Sequence, residues 1–165
     1  KNPAVKVGEH YLRRFKNCLY LTNCFNDVSD WQVDVDLFDD SANIELPDNL
    51  GQLKLSIGQH EIIEDVNQKY SVKHSILAPV KGQKVTISFD HQNPKCLPDY
   101  RNHSRSVKKV LQELSIPPWQ RKRIPFLYYD DVLVAAIGFF VCQAYVAQTS
   151  LPKTKKPGLK ITWTH

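Results

Sequence analysis

Sixteen nearly apolar residues, Val132 to Ala147 (VLVAAIGFFVCQAYVA), limit what this 165-residue chain can become. The run falls short of the roughly 20 residues that cross a bilayer as a helix. Gln143 interrupts it and Gly138 sits within it. Val, Ile, Phe and Tyr dominate, and branched and aromatic side chains favour strands. Asp130-Asp131 reads as a turn separating the run from FLYY (126–129). The segment therefore predicts two or three central strands, with Gly138 at a bulge or close approach.

Alternation marks further strands. WQVDVDLF places Trp31, Val33, Val35 and Leu37 on one face and Asp34 and Asp36 on the other. QLKLSI between Gly51 and Gly58, QKVTISF (83–89) and LKITWT (159–164) repeat the pattern. Pro47-Asp48-Asn49 is turn chemistry. YLRRF and CLYLT flank Lys16-Asn17, a short hairpin turn. The pair Arg13-Arg14 reads as exposed decoration. Residues 60–80 are ambiguous, and 90–104 read as a polar loop in which His91 and His103 are surface residues.

One helix stands out. Val107, Val110, Leu111 and Leu114 recur at i, i+3, i+4 and i+7. Arg105, Lys108, Lys109 and Gln112 repeat the spacing two residues earlier, which is about 200° away around the helix. Ser104 is the expected N-cap. Free N–H groups at that end, with Arg101 just upstream, suit a phosphate. Pro117 cannot continue the helix, and Pro118 suits the start of a short second turn. Trp119 then leads into Arg121-Lys122-Arg123, and Pro125 closes the segment. Trp119 is either a core anchor or an aromatic surface on which a base stacks. The basic face and the tri-basic run are each readable as solvated surface. Together, on a proline-stiffened bend, they suit a phosphate backbone.

Charge distribution agrees. Residues 1–82 hold 9 Lys/Arg and 12 Asp/Glu, net −3, whereas 83–165 hold 13 and 5, net +8. A polyanion fits the second half, and nucleic acid ranks above a membrane because no long amphipathic basic helix accompanies the cations. The four cysteines (18, 24, 96, 142) form no CxxC pair. They read as thiols of a cytosolic protein rather than zinc ligands. Asp34, Asp36 and Glu45 fall at calcium-loop spacing, but Asp39 occupies the position that needs glycine. With six scattered glycines there is no phosphate-cradling loop, and no catalytic constellation is visible. The chain holds no methionine and begins Lys-Asn-Pro, which suggests a fragment of a longer protein.

VKKVLQELSIPPWQRKRIPFLYYDDVLVAAIGFFV (107–141) resembles the C-terminal signature of the tRNA(Ile)-lysidine synthetase (MesJ/TilS) family: a basic helix, a PPW-x-R segment and an apolar hairpin in the same order. Weaker similarity reaches LPDNLGQLKL (46–55) and EHYLRRFKNCLYL (9–21). Lys122 departs from the family, where an acidic residue often follows that arginine. The resemblance implies an α+β fold: a mainly antiparallel, barrel-like or sandwich-like sheet with one principal helix, similar to a domain of the phenylalanyl-tRNA synthetase β subunit. It implies a hairpin over 1–27 that belongs or links to a preceding domain, and a tRNA-binding domain over 28–165 with the motifs in 83–165. The whole enzyme would be a cytoplasmic ligase that adenylates the wobble cytidine of isoleucine tRNA with ATP and lets lysine displace AMP. ATP and Mg would belong to a catalytic N-terminal domain whose SGG-x-DS-like loop is not in this sequence. This portion, with no cofactor or metal of its own, would grip tRNA at the acceptor stem. Arg101, Arg105, Lys108, Lys109, Arg121, Lys122 and Arg123 would meet phosphates, and Trp119 would shape or stack. An RNA-binding module outside such an enzyme, or a dimerisation domain using the apolar run, are the alternatives.

Overall fold

In the computed structural model, the described residues are 3–58, 76–147 and 157–165. The chain opens with an antiparallel meander, β1 (Ala4–Val7), β2 (His10–Phe15) and β3 (Cys18–Asn23). The Lys16-Asn17 turn lies where its sequence places it, with Phe15 paired to Cys18. Next come β4 (Gln32–Val35), β5 (Ser41–Glu45), β6 (Gln52–Gly58), β7 (Ile76–Leu77) and β8 (Val85–Ser88). Short strands β9 (Lys95–Cys96) and β10 (Arg105–Ser106) pair with each other ahead of helices α1 (Val107–Glu113) and α2 (Pro118–Arg121). The chain ends with β11 (Phe126–Tyr129), β12 (Val132–Ala136), β13 (Phe140–Val141) and β14 (Gly158–Thr164).

Two larger sheets form the body, both antiparallel throughout. One runs β13-β12-β11-β8-β4 and the other β5-β6-β14-β7. Between them lies one core, to which β6 sends Leu53 and Leu55, β14 sends Leu159, Ile161 and Trp163, and the five-stranded sheet sends Val85, Ile87, Leu127, Tyr129 and Val134. A second core covers the other face of the five-stranded sheet. There Val107, Val110 and Leu111 of α1, with Ile116 and Ile124, meet Phe126, Leu133, Ala136 and Phe140. The layers are therefore sheet, sheet and helix, the sandwich form of the expected α+β architecture. Burial on both faces explains why 126–147 is apolar without alternating. Each such side chain adds roughly 1.5–3 kcal/mol on leaving water. Within 132–147, Leu133 to Ile137 and Phe140 to Cys142 are buried in these cores, whereas Val132 is 53% exposed.

Polar groups help to fix this packing. The Tyr129 hydroxyl donates to Leu77 O at 2.7 Å, and Trp163 Nε1 donates to Leu50 O at 2.7 Å. Gly51 has φ +88°, and a Cβ there would overlap Thr164 O of the last strand, so this close approach requires glycine. Gly138 also has a positive φ, 88°, but it turns β12 into β13 instead of forming a bulge; the register shift lies at Leu127/Tyr128. Among the described residues, no helix is long and apolar enough to cross a membrane.

Four local expectations around the helix are corrected. Ser106, not Ser104, precedes α1, and its side chain makes no cap bond. Arg105 belongs to β10, outside the helix. The helix ends before the prolines act: Ser115 takes φ 57°, its N–H donates to Gln112 O, and Ile116 N–H donates to Leu111 O. That paired arrangement is a Schellman turn with serine in the place glycine usually holds. Leu114 caps the helix at 36% exposure and does not extend the buried stripe. Residues 148–156, with Lys153, Lys155 and Lys156, and residues 60–75 of the ambiguous stretch 60–80 lie outside the described residues, while Ile76–Leu77 of that stretch form β7.

Candidate nucleic-acid interface

The expected cations divide by what holds them. Lys108 and Lys109 in α1, and Lys122 just past α2, are exposed. Neither Lys108 nor Lys109 makes an ion pair among the described residues. Lys122 acts only at a distance, helping to lower the Asp27 carboxyl after the larger effect of hydrogen bonds from Ser29.

Arg101 and Arg105 share one acid. Each Nη1 binds a different oxygen of Glu113, in the last turn of α1, and Arg101 Nε donates to His103 O at 3.2 Å. Their side chains remain 23% and 46% exposed. One carboxylate cannot neutralise two guanidinium groups, so the trio keeps a net positive charge. Exposed pairs of this kind contribute about 0–1 kcal/mol each.

Arg121 and Arg123 are held more firmly. Arg121 Nε donates to Ile116 O at 2.7 Å, and partial burial lowers its pKa. Arg123 Nη1 binds Asp48 Oδ2 at 2.5 Å, its Nη2 donates to Asp48 O at 3.1 Å, and its guanidinium lies 4.2 Å from the Phe25 ring centre. Only 12% of the Arg123 side chain is exposed. Arg123, expected to meet a phosphate, is here a structural staple occupied by an internal acid.

Two N–H groups of the helix N-terminus are likewise already taken. Val107 N–H donates to Pro94 O at 3.0 Å and Lys108 N–H to Asn93 Oδ1 at 2.9 Å. Trp119 is half-buried and meets the rings of Phe15 and Tyr20 edge-on at 6.2 and 5.4 Å. Arg13 lies 5.6 Å above it and also covers Tyr11 and Phe25. Of the two readings open for Trp119, the packing anchor describes these contacts. Arg13 is not decoration: its Nε donates to Thr22 Oγ1 at 2.9 Å, which fixes it between the hairpin and the elbow.

Sequence reasoning missed three participants: Glu113, Asp48 and the hairpin tip. Lys16 Nζ donates to Ser115 Oγ, joining the β2–β3 turn to the connection between α1 and α2. Asp48 had a signal in its turn, PDN, whose Asp48 and Asn49 both take positive φ. His91 was expected at the surface; it is half-buried, 5.1 Å from the Phe126 ring, and burial lowers its pKa. Among the described residues no three His, Cys, Asp or Glu side chains gather as a metal site would require.

Comparison with known proteins gives this surface a context. Residues 85–163 match the model of the TilS substrate C-terminal domain. The tRNA(Ile)-lysidine synthase of Serratia proteamaculans is 41% identical over 142 residues, 86% of this chain and 28% of that protein. The enzyme of the same name from Actinobacillus succinogenes is 36% identical over 138 residues, 84% of this chain and 31% of that protein. This chain thus spans about a third or less of the relatives it matches. A crystal structure of a TilS C-terminal domain superposes with a TM-score of 0.56 at 15% identity, covering 74% of this chain and 89% of that one, which shows a shared fold. Residues 85–163 thus carry a TilS substrate C-terminal domain, in a chain similar along 84–86% of its length to tRNA(Ile)-lysidine synthases.

Proposed function

We propose that this chain is the tRNA-gripping C-terminal part of a cytoplasmic tRNA(Ile)-lysidine synthetase. In the complete enzyme a separate catalytic domain of the same polypeptide would use ATP and Mg to join lysine to the wobble cytidine of isoleucine tRNA. The part described here would hold the tRNA away from the anticodon, at the acceptor stem, and so raise the local presence of the target base at the distant centre. Residues 1–27 would lead from the preceding domain into the 28–165 body.

The observation that carries this reading is the set of exposed lysines, Lys108, Lys109 and Lys122, on a helix–proline–tryptophan elbow whose Arg121 and Arg123 are held by internal partners. A rigid support lets cations displace counterions from a phosphate backbone without first paying to order themselves. Arg101 and Arg105 join them with the charge Glu113 leaves over. Arg121 contributes through the part of its guanidinium not used on Ile116, while Trp119 and Arg123 act by shaping the support.

Filter binding of isoleucine tRNA to this chain at rising salt tests the reading. Lys108→Glu with Lys122→Glu should weaken binding by more than tenfold at low salt and flatten the salt dependence by about 0.7–0.9 per lost phosphate contact, with unchanged thermal unfolding. Affinity unaffected by that double reversal would rule the surface out.

A second reading has its own observation. Val5, Val7, Leu19 and Leu21 are 59%, 53%, 69% and 63% exposed, and their strand register puts them on one face of the first sheet. Self-association would cover them. Sedimentation across concentrations, with no tRNA affinity, would favour that reading over the first.

A further inference from the structure

The tip of the β2–β3 hairpin stands beside the elbow, although 99 residues separate Lys16 from Ser115. We propose that this tip, through Arg14 and Lys16, is a second arm that contacts backbone phosphates of the same bound RNA. The proposal rests on the tRNA-binding reading above and extends its surface to a segment before the matched domain.

Position comes first. Lys16 Nζ is bonded to Ser115 Oγ, and the Phe15 and Tyr20 rings flank Trp119. The tip therefore cannot swing independently of α2 and the Lys122 that follows it. Cations held at fixed separation track a regular phosphate spacing better than cations on a free loop.

Backbone conformation comes second. Lys16 has φ 53° and Ser115 has φ 57°, so two left-handed residues that are not glycine meet through their side chains. Such conformations strain residues that carry a Cβ, a strain glycine avoids. A lysine at a turn position suited to glycine or asparagine gives up stability and supplies a charge.

Charge comes third. Arg101, Arg105 and Arg123 each meet an internal carboxylate, whereas among the described residues no carboxylate pairs with Arg14 or Lys16. Arg14 is exposed, and its Nε donates to Lys16 O at 3.3 Å, which leaves its terminal nitrogens for a ligand. Beside it lies an open hollow of about 340 Å³ lined by Arg14, Asn17, Cys18 and Leu19. The hollow is open to solvent, and Arg14 is its one charged lining residue.

The test uses the 165-residue chain, isoleucine tRNA and filter binding between 50 and 200 mM salt. Lys16→Asn combined with Arg14→Gln should lower affinity several-fold and reduce the log–log salt slope by about 0.7–0.9 for each phosphate released. Thermal unfolding should hold or rise, because asparagine tolerates the left-handed turn. Lys16→Gly serves in place of Lys16→Asn should that variant melt early. Lys16→Arg should retain binding, which separates charge from turn geometry. Unchanged affinity and slope in the double variant, while Lys108→Glu with Lys122→Glu still weakens binding, would overturn the second arm and leave the tRNA reading intact. No binding by the unaltered chain would overturn both.

Discussion

The Arg123 guanidinium lies 2.5 Å from the Asp48 carboxylate, 75 positions away in the chain, with little water around either group. This pair fastens the end of the basic elbow to the turn between β5 and β6. Asn26 strengthens it: its backbone N–H and its side-chain amide both donate to Asp48, at 3.0 and 2.7 Å. Arg123→Ala should therefore lower unfolding stability by about 3 kcal/mol, since it leaves a mostly buried carboxylate without its cation. Urea denaturation would measure it, and a loss below 0.5 kcal/mol would contradict the staple.

The same pair sets an acid dependence. The Arg123 hydrogen bond, followed by those from Asn26, holds the Asp48 carboxyl below its ordinary value of 3.8. A depressed folded-state pKa adds stability above the unfolded value, and the addition disappears as pH falls through the folded one. Unaltered protein and Asp48→Asn should differ most near neutrality. Their difference should shrink below about pH 4. Denaturation midpoints measured from pH 7 to pH 2.5 would reveal a gap that stays constant if the linkage is absent.

Trp119 should matter for stability before it matters for RNA. Trp119→Ala removes the ring that Phe15 and Tyr20 pack against and should cost about 2 kcal/mol, less than a fully buried tryptophan. Amide exchange in β2 and β3 should accelerate with it. A variant that keeps full stability yet loses tRNA affinity would instead mark Trp119 as a base-stacking surface.

The four thiols should separate into two pairs. Cys18 and Cys24 are exposed, whereas Cys96 and Cys142 are buried. Burial pushes Cys96 up to about 11 and Cys142 up to about 12. Because the thiolate is the reactive form, an aromatic disulfide reagent at pH 8 should titrate two thiols in the native protein and four after denaturation. More than two fast thiols in the native state would contradict this packing.

Gly51→Ala should be among the most damaging single-methyl changes. The added carbon would overlap Thr164 O, and the φ of +88° disfavours any side chain. A loss of about 3 kcal/mol or more is expected, read as a lowered thermal midpoint. Gly82→Ala, at φ +89° with nothing within 4 Å, should cost less, and equal losses would remove close approach as the cause.

The linear order of residues determined most of the longer strands and where the principal helix lies, but not the short β9, which falls in the stretch 90–104 read as a loop. Period-two alternation in 31–37, 53–57 and 159–163, and the i, i+3, i+4 stripe of Val107, Val110 and Leu111, are local properties, and local sterics and burial act on them directly. The apolar density of 126–147 likewise announced a core strand set. Tertiary structure alone decided which cations are spent internally. Whether an arginine faces water or an acid depends on partners distant in sequence, as with Asp48 for Arg123. Glu113 was near enough to see, yet its capture of Arg101 and Arg105 needed the β9–β10 pairing that turns Arg105 out of the helix. The hairpin tip was readable as a turn, but its place beside Ser115 follows from Trp119 packing between Phe15 and Tyr20, a contact that spacing in the chain does not encode.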